Sequence, residues 1–220
     1  MTILALEFSS PQRSVAILCS AENAVAEAIE SGGNATRAFG MIEKVLAEAK
    51  IGREQVEALA VGLGPGSYTG IRAAISLAQG WQLARGVKLL GVSSSECLAA
   101  QAQAENIFGR VKVVIDAQRN EFYLASYEIA ADGWRETAPL KILPHADVQS
   151  RAGANGILIG PEVTRWFPAG RIIFPRAATL AKLAARRADF VSGERLEPIY
   201  LRETNFVKSP PRQPSVEQAS

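Results

Sequence analysis

Short apolar runs and helical patterns alternate along the first half of the chain. The apolar runs at 2–8 and 14–19, joined by a polar turn at 9–13, predict a β-hairpin. Apolar residues at helical spacing predict a helix over 35–50. The further elements predicted in this half are strands over 24–29, 56–63 and 88–92 and helices over 71–85 and about 94–105. A hairpin followed by alternating helices and strands is typical of α/β folds.

The second half repeats the opening pattern. An apolar strand over 111–116 ends in Asp116 and returns over 122–127, as the strand that ends in Glu7 returns over 14–19. The later elements predicted are a strand over 156–160, a helix over 177–190 and a strand near 198–202. We therefore expect two lobes of related design, 1–106 and 107–204, followed by a flexible proline-containing tail over 205–220.

The segment from Gly62 to Arg72 contains four glycines, one proline and two hydroxyl residues between a predicted strand and a predicted helix. Glycine permits sharp turns and close approach of two backbones. Ser67 or Thr69 can cap the helix, and the free amides at its start could instead hold an anion. The pattern leaves a structural turn with a cap and an anion site both open.

Composition narrows the function classes. The chain has 220 residues, 48% of them hydrophobic, and a formal net charge of +2. This charge is too small for a dedicated nucleic-acid surface, so contact with RNA would need a local basic patch. The two cysteines, Cys19 and Cys97, lie in apolar runs and are interpreted as structural thiols. We expect a cytoplasmic protein, because neither a secretory signal nor an apolar run of membrane length is found.

The chain has a single histidine, His145. A Ser-His-Asp mechanism would have to use it as the base, and a histidine pair for a metal cannot be formed. We interpret His145 as a solvent-facing residue at the start of a helix.

Several motifs together resemble the TsaB family. They are the opening hairpin, GLGPGSYTGIR at 62–72, GVSS at 91–94, VIDAQRNEFY at 114–123 and PIYLR at 198–202. The resemblance covers nearly everything except the tail. It implies a two-lobed α/β fold of the actin/hexokinase ATPase type, with duplicated ribonuclease-H-like lobes and a degenerate active site.

The resemblance also implies partners. TsaB proteins serve the bacterial system that installs threonylcarbamoyl on the adenosine beside the tRNA anticodon; there TsaD carries the metal and the catalysis, and TsaE is an ATPase. The chain is accordingly expected to be a non-catalytic subunit that binds and activates TsaD, and a homodimer when alone. Contact with TsaE and tRNA is expected only through the complex. No cofactor is expected on this chain alone, and ATP, ADP or a metal would enter through partner subunits.

A residual nucleotide site, if one is retained, would use Glu7, Ser9 and Asp116. Glu7 and Asp116 are candidates because each ends the first strand of a lobe. An ordinary strand-end carboxylate is the competing interpretation. Both hairpin turns lack the glycines of a phosphate clamp. The chain departs from the family pattern at Glu7, where aspartate is usual, and at Asn34 and Gly40, where histidine and proline are common.

The helix predicted over 71–85 carries no charge in the twelve residues from Ala73 to Ala84. Such a helix is either enclosed by its own domain or packed against a partner. The resemblance places the surface for self-association and TsaD binding here and on the preceding helix. The expected interface residues are Phe39, Ile42, Leu46, Arg72, Ile75, Ala78, Gln79 and Gln82. Ala78→Glu or Ile42→Glu is then predicted to leave a folded monomer.

Two other functions remain open at this point. The chain could be a stand-alone ATP-using enzyme of the actin/hexokinase type with Glu7 and Asp116 on Mg²⁺. A peptidase is the weaker alternative, because His145 is alone and metal ligands are missing from the sequence pattern.

Overall fold

The first sheet is built mainly from the N-terminal half. In a computed structural model that describes residues 1–19, 24–32, 37–152 and 156–202, its strands are β1 (Thr2–Glu7), β2 (Gln12–Cys19), β3 (Ala24–Ser31), β4 (Ala58–Gly62) and β5 (Lys88–Val92). The spatial order is β3-β2-β1-β4-β5. Strands β1, β2 and β3 pair antiparallel, whereas β4 and β5 extend the sheet in parallel from β1. The predicted hairpin is confirmed.

The second sheet has the same design. Its strands are β6 (Gly109–Asp116), β7 (Glu121–Ala130), β8 (Gly133–Pro144), β9 (Ile157–Gly160) and β10 (Arg171–Ile172). Their order, β10-β9-β6-β7-β8, again joins an antiparallel three-stranded meander to two parallel strands. The predicted α/β fold with two sheets of related design is confirmed.

In the described ranges, five helices cover the sheets: α1 (Ala38–Ala49), α2 (Tyr68–Arg85), α3 (Ser94–Ala104), α4 (His145–Ala152) and α5 (Ala177–Ala184). Helices α1 and α2 bury one face of the first sheet, and α5 packs on its opposite face. Helix α3 lies between the sheets, since Cys97 packs with the first and Leu98 with the second. None of the helices in the described residues is long and apolar enough to cross a membrane.

Several element predictions need correction. Strand β8 was not predicted, and the helix expected over 177–190 ends at Ala184. The segment 198–202 is irregular rather than a strand, although the Ile199 amide donates to the Leu63 carbonyl at 2.8 Å. Helix α5 belongs to the range 107–204 but packs on the first sheet. Asn34 and the predicted tail over 205–220 lie outside the described residues.

Candidate functional site

The glycine-rich segment packs its backbone directly against the first hairpin. The Ser67 amide donates to the Ser9 carbonyl at 2.7 Å, and the Ser67 hydroxyl accepts from the Gly70 amide at 3.3 Å. A Cβ at Gly66 would lie 2.1 Å from the Ser9 carbonyl oxygen. Ser67 is therefore the cap of α2, and the contacts support the structural interpretation of this segment.

Glu7 is fully buried at the end of β1. Its carboxylate accepts from the Ser9 amide at 2.8 Å and from the Ser94 hydroxyl at 2.9 Å. The Ser94 hydroxyl in turn accepts from the Gly64 amide at 3.1 Å. Burial raises the pKa of the Glu7 carboxyl, and the hydrogen bonds from Ser9 and Ser94 oppose that rise. Glu7 thus joins β1 to the glycine-rich segment and to the start of α3.

A cavity of about 1080 Å³ separates the turns of the two hairpins. Ser9 and Asp116 line it, so two of the three predicted residual site residues meet there, whereas Glu7 does not line it. Three arginines and five large aromatic residues contribute to the wall: Arg13, Arg119, Arg202, Tyr68, Phe122, Tyr123, Trp166 and Tyr200. None of these eight was predicted from the sequence to line a cavity. The PIYLR motif, which contains Tyr200 and Arg202, is the sequence feature that could have indicated their place in the cavity wall.

Asp116 is held by its own turn. Its two carboxylate oxygens accept from the Gln118 amide at 2.7 Å and from the Gln118 side-chain amide at 2.9 Å. Gln118, Arg119 and Asn120 all have left-handed backbones, with φ of 64°, 58° and 60°. Such conformations are unfavourable for residues other than glycine and persist where surrounding contacts impose them.

Arg202 supplies contacts that fix this turn. Its guanidinium donates to the Ala117 carbonyl at 2.9 Å and to the Glu121 carboxylate at 2.6 Å. Residues 117 and 121 flank the left-handed segment, so one side chain from the C-terminal part of the described chain bridges both of its ends. Arg202 is therefore a positioning residue for one wall of the cavity.

Tyr68 connects the cavity to α2. It is the first residue of α2 and lines the cavity, where its ring lies 5.2 Å from that of Tyr200. The Arg72 guanidinium donates to the Tyr68 hydroxyl at 2.7 Å and lies over the same ring. Burial raises the pKa of the Tyr200 hydroxyl to about 12, and the neighbouring Tyr68 adds to the shift.

The eight predicted interface residues divide into two groups. Ile42, Leu46, Ile75 and Ala78 are buried in the core of the first lobe, so they do not form an outer surface. Phe39, Arg72 and Gln79 are exposed and Gln82 is half-buried. The structure contradicts the premise that Ala78 and Ile42 lie on the surface, and Ala78→Glu or Ile42→Glu would instead bury a charge in the core.

Gln79 and Gln82 already have partners within the chain. The Gln79 side chain donates to the Gly193 carbonyl at 2.8 Å, and the Gly193 amide donates to the Gln82 side chain at 2.7 Å. Both glutamines therefore anchor the short 3₁₀ turn Gly193–Arg195 to α2.

One side of α2 faces outward along its whole length. We call this surface the outer face of α2, and it consists of Thr69, Arg72, Ala73, Ser76, Gly80, Leu83 and Ala84. Arg72 is its one charged residue, and Leu83 is 91% exposed. The alternative that α2 is enclosed by its own domain is thereby excluded.

Comparisons with known proteins agree on one family. A family model described as TsaD, tRNA N6-adenosine threonylcarbamoyltransferase, matches residues 33–196. The tRNA threonylcarbamoyladenosine biosynthesis protein TsaB of Haemophilus influenzae is 29% identical, over 97% of this chain and 99% of its own. The solved structure of YeaZ, another name of TsaB, from Pseudomonas aeruginosa is 31% identical with a TM-score of 0.78, over 91% of this chain and 99% of its own. The chain belongs to the TsaB family.

The departure of this TsaB family member at Gly40 is sterically neutral. Gly40 lies in the first turn of α1, is exposed, and a Cβ there would meet only the Arg37 Cβ at 3.9 Å. The departure at Asn34 falls outside the described residues.

His145 begins α4, as predicted, but is half-buried rather than solvent-facing. Its ring stacks on Phe167 at 5.1 Å and lies 5.8 Å from Phe122. In the part of the chain that the structure describes, no three His, Cys, Asp or Glu side chains are grouped as metal ligands.

Cys97 is fully buried and Cys19 half-buried, and both thiols are free. Burial raises the pKa of the Cys97 thiol well above its ordinary value, and the charge of Glu7 raises it further. A thiol with a raised pKa is a poor nucleophile, which agrees with the predicted structural role.

Proposed function

We propose that this chain serves tRNA threonylcarbamoyladenosine biosynthesis as a non-catalytic subunit that binds and activates TsaD. Its relatives from Haemophilus influenzae and Escherichia coli are named for that biosynthesis, and the matching family model is described as TsaD. The observation that supports the subunit role is the outer face of α2. This surface runs the whole length of the helix, carries a single charged residue, Arg72, and exposes Leu83 almost fully.

The chemistry of this surface suits a helical partner. Ala73, Ser76 and Gly80 are small, so a second helix can approach closely between them. Leu83, at 91% exposed, and Phe39 of α1, at 68%, are apolar side chains that a partner would remove from water. Exposed apolar surface of this kind marks interaction sites. A specific interface needs about 800 Å² from each partner, so it would extend over both α1 and α2.

The two candidate carboxylates support a role other than catalysis. Glu7 is buried and accepts hydrogen bonds from Ser9 and Ser94. Both oxygens of Asp116 accept from Gln118. A Mg²⁺ site in an ATPase of this fold requires carboxylate oxygens that face the cleft and are free to bind the ion or its waters.

The deciding experiment measures mass by light scattering for the chain alone and for its mixture with TsaD of the same organism. We expect a homodimer that converts into a one-to-one complex. Leu83→Glu should abolish both assemblies and the stimulation of tRNA modification by TsaD. Ile172→Glu is the matched control, because Ile172 is 52% exposed on β10 of the other lobe. A Leu83→Glu chain that pairs like wild type would refute the interface.

The size of the cavity favours one second candidate, a stand-alone ATP-using enzyme. A volume of about 1080 Å³ could hold a nucleotide, and three arginines in its wall could neutralise phosphates. The test is ATP hydrolysis by the isolated chain. Activity that is lost in Asp116→Asn would support the enzyme, and hydrolysis that does not depend on Asp116 would count against it.

A further inference from the structure

Among the residues that the structure describes, the outer face of the second sheet is only partly covered. In the first sheet the corresponding face is buried by the twelve-residue α1 and the eighteen-residue α2. In the second lobe the eight-residue α4 and the short 3₁₀ turn Val163–Arg165 lie on this face instead. Their apolar cluster includes Val148, Phe122 and Leu124, and no helix of the described ranges covers the opposite end of the strands.

Polar residues occupy the uncovered end. Val111 and Val113 of β6 face the cluster that contains α3, so the alternating residues Arg110 and Lys112 point to the outer side. Across the sheet, Glu128 of β7 pairs with Arg135 of β8. These residues, with Ser126 and Thr137, line a groove of about 450 Å³. We call this surface the basic sheet face and include Arg151, which lies at the end of α4.

Cations outnumber acids on this face. Arg110, Lys112, Arg135 and Arg151 face one groove-lining acid among the described residues, Glu128. Glu128 lies 3.9 Å from the Arg110 guanidinium, and the two side chains are 45% and 75% exposed, so solvent weakens this pair. The Lys112 ammonium donates to the Arg151 carbonyl at the end of α4, which brings Arg151 beside it.

The Lys112 ammonium lies near other positive charges. Burial lowers the pKa of the Lys112 ammonium, and the charges of Arg151 and Arg110 lower it further. An anion placed in the groove would reverse the charge effect. The groove is open to solvent across strands β6, β7 and β8, so an extended polymer can lie along it.

We propose that the basic sheet face binds the phosphate backbone of tRNA directly. This inference rests on the proposed function, which makes tRNA the polyanion that the assembled complex must hold. Arginine and lysine side chains that neutralise phosphates release condensed counterions, and this release drives binding without reading sequence. A chain of net charge +2 can therefore bind RNA through a local patch, whereas contact with tRNA through the partner subunits alone was the expectation from the sequence.

The test uses the full chain in its complex with TsaD and measures the affinity for an unmodified tRNA transcript over a series of salt concentrations. The variant Arg110→Gln/Arg135→Gln removes two exposed cations and leaves Lys112 on the end of α4. We expect binding to weaken about tenfold, and the slope of log affinity against log salt to fall by about 1.5, because each lost phosphate contact contributes 0.7 to 0.9.

The matched control is Arg171→Gln/Arg186→Gln, which removes two exposed arginines from other surfaces. It should keep the wild-type affinity and slope. Equal losses in both variants, or none in Arg110→Gln/Arg135→Gln, would overturn the proposal. Circular dichroism must show that both variants fold. If the wild-type chain fails to pair with TsaD, the proposed function fails, and the same titration with the chain alone decides the inference.

Discussion

The Ser94 hydroxyl donates a 2.9 Å hydrogen bond to the buried carboxylate of Glu7, across 87 positions of sequence. Through the same hydroxyl oxygen, Ser94 accepts from the Gly64 amide. Three parts of the first lobe, the end of β1, the glycine-rich segment and the start of α3, therefore meet at one side chain. Glu7 has a structural role in this arrangement, although it lies only two positions from Ser9 in the wall of the cavity.

Glu7→Gln should change how stability depends on pH. Burial raises the folded-state pKa of Glu7 above its ordinary value of 4.5, so its contribution to stability is fully present below that value and is lost as pH rises through the folded pKa. Glutamine does not titrate. Urea unfolding between about pH 4 and about pH 8 should show the variant gaining stability relative to wild type as pH rises. Parallel curves would refute this, and Glu197→Gln at an exposed site is the control.

Ala78→Glu and Leu83→Glu should differ in their effect on stability, because one position of α2 is buried and the other is exposed. Ala78 is fully buried, so a carboxylate there should lower the free energy of unfolding by about 3 to 5 kcal/mol. Leu83→Glu should change it by less than about 0.5 kcal/mol, because the side chain is already in water. Urea unfolding followed by circular dichroism measures both. Similar stability of the two variants would contradict the orientation of α2.

Arg202→Ala should loosen the turn between β6 and β7. The loss of its bonds to the Ala117 carbonyl and the Glu121 carboxylate should cost about 1 kcal/mol, since the site is partly exposed. Hydrogen exchange of the Ala117 and Glu121 amides, which close the turn, should become faster. Exchange at Leu59, in the core of the first sheet, should stay unchanged. Unchanged exchange at the turn would show that Arg202 does not position it.

The strands and the cap were predictable because their signals are local. Apolar runs bounded by turn residues predicted β1, β2, β6 and β7. The hydroxyls before the apolar helix predicted Ser67 or Thr69 as the cap of α2, and Ser67 is the one that caps it. Strand β8 was missed because it is largely exposed and contains Pro139, which hides the alternation of a strand.

The orientation of the helices was harder to predict. Apolar and small residues surround the axis of α2, so its sequence does not reveal which side packs on the sheet. Ile75 and Ala78 were therefore assigned to the surface, and Leu83 was not. The contacts of Arg202 with the turn at 117–121 link residues more than 80 positions apart, and no local pattern reports such a pairing.

The packing of α5 has a consequence for how the chain can be divided. Leu180 and Ala181 of this late helix cover Ile3 and Ala5 of the earliest strand. A fragment that stops at residue 106 would leave those side chains facing water, and it would also lose the second sheet that shields Leu98 of α3. During synthesis, the N-terminal lobe can therefore bury its core completely only after α5 has been made.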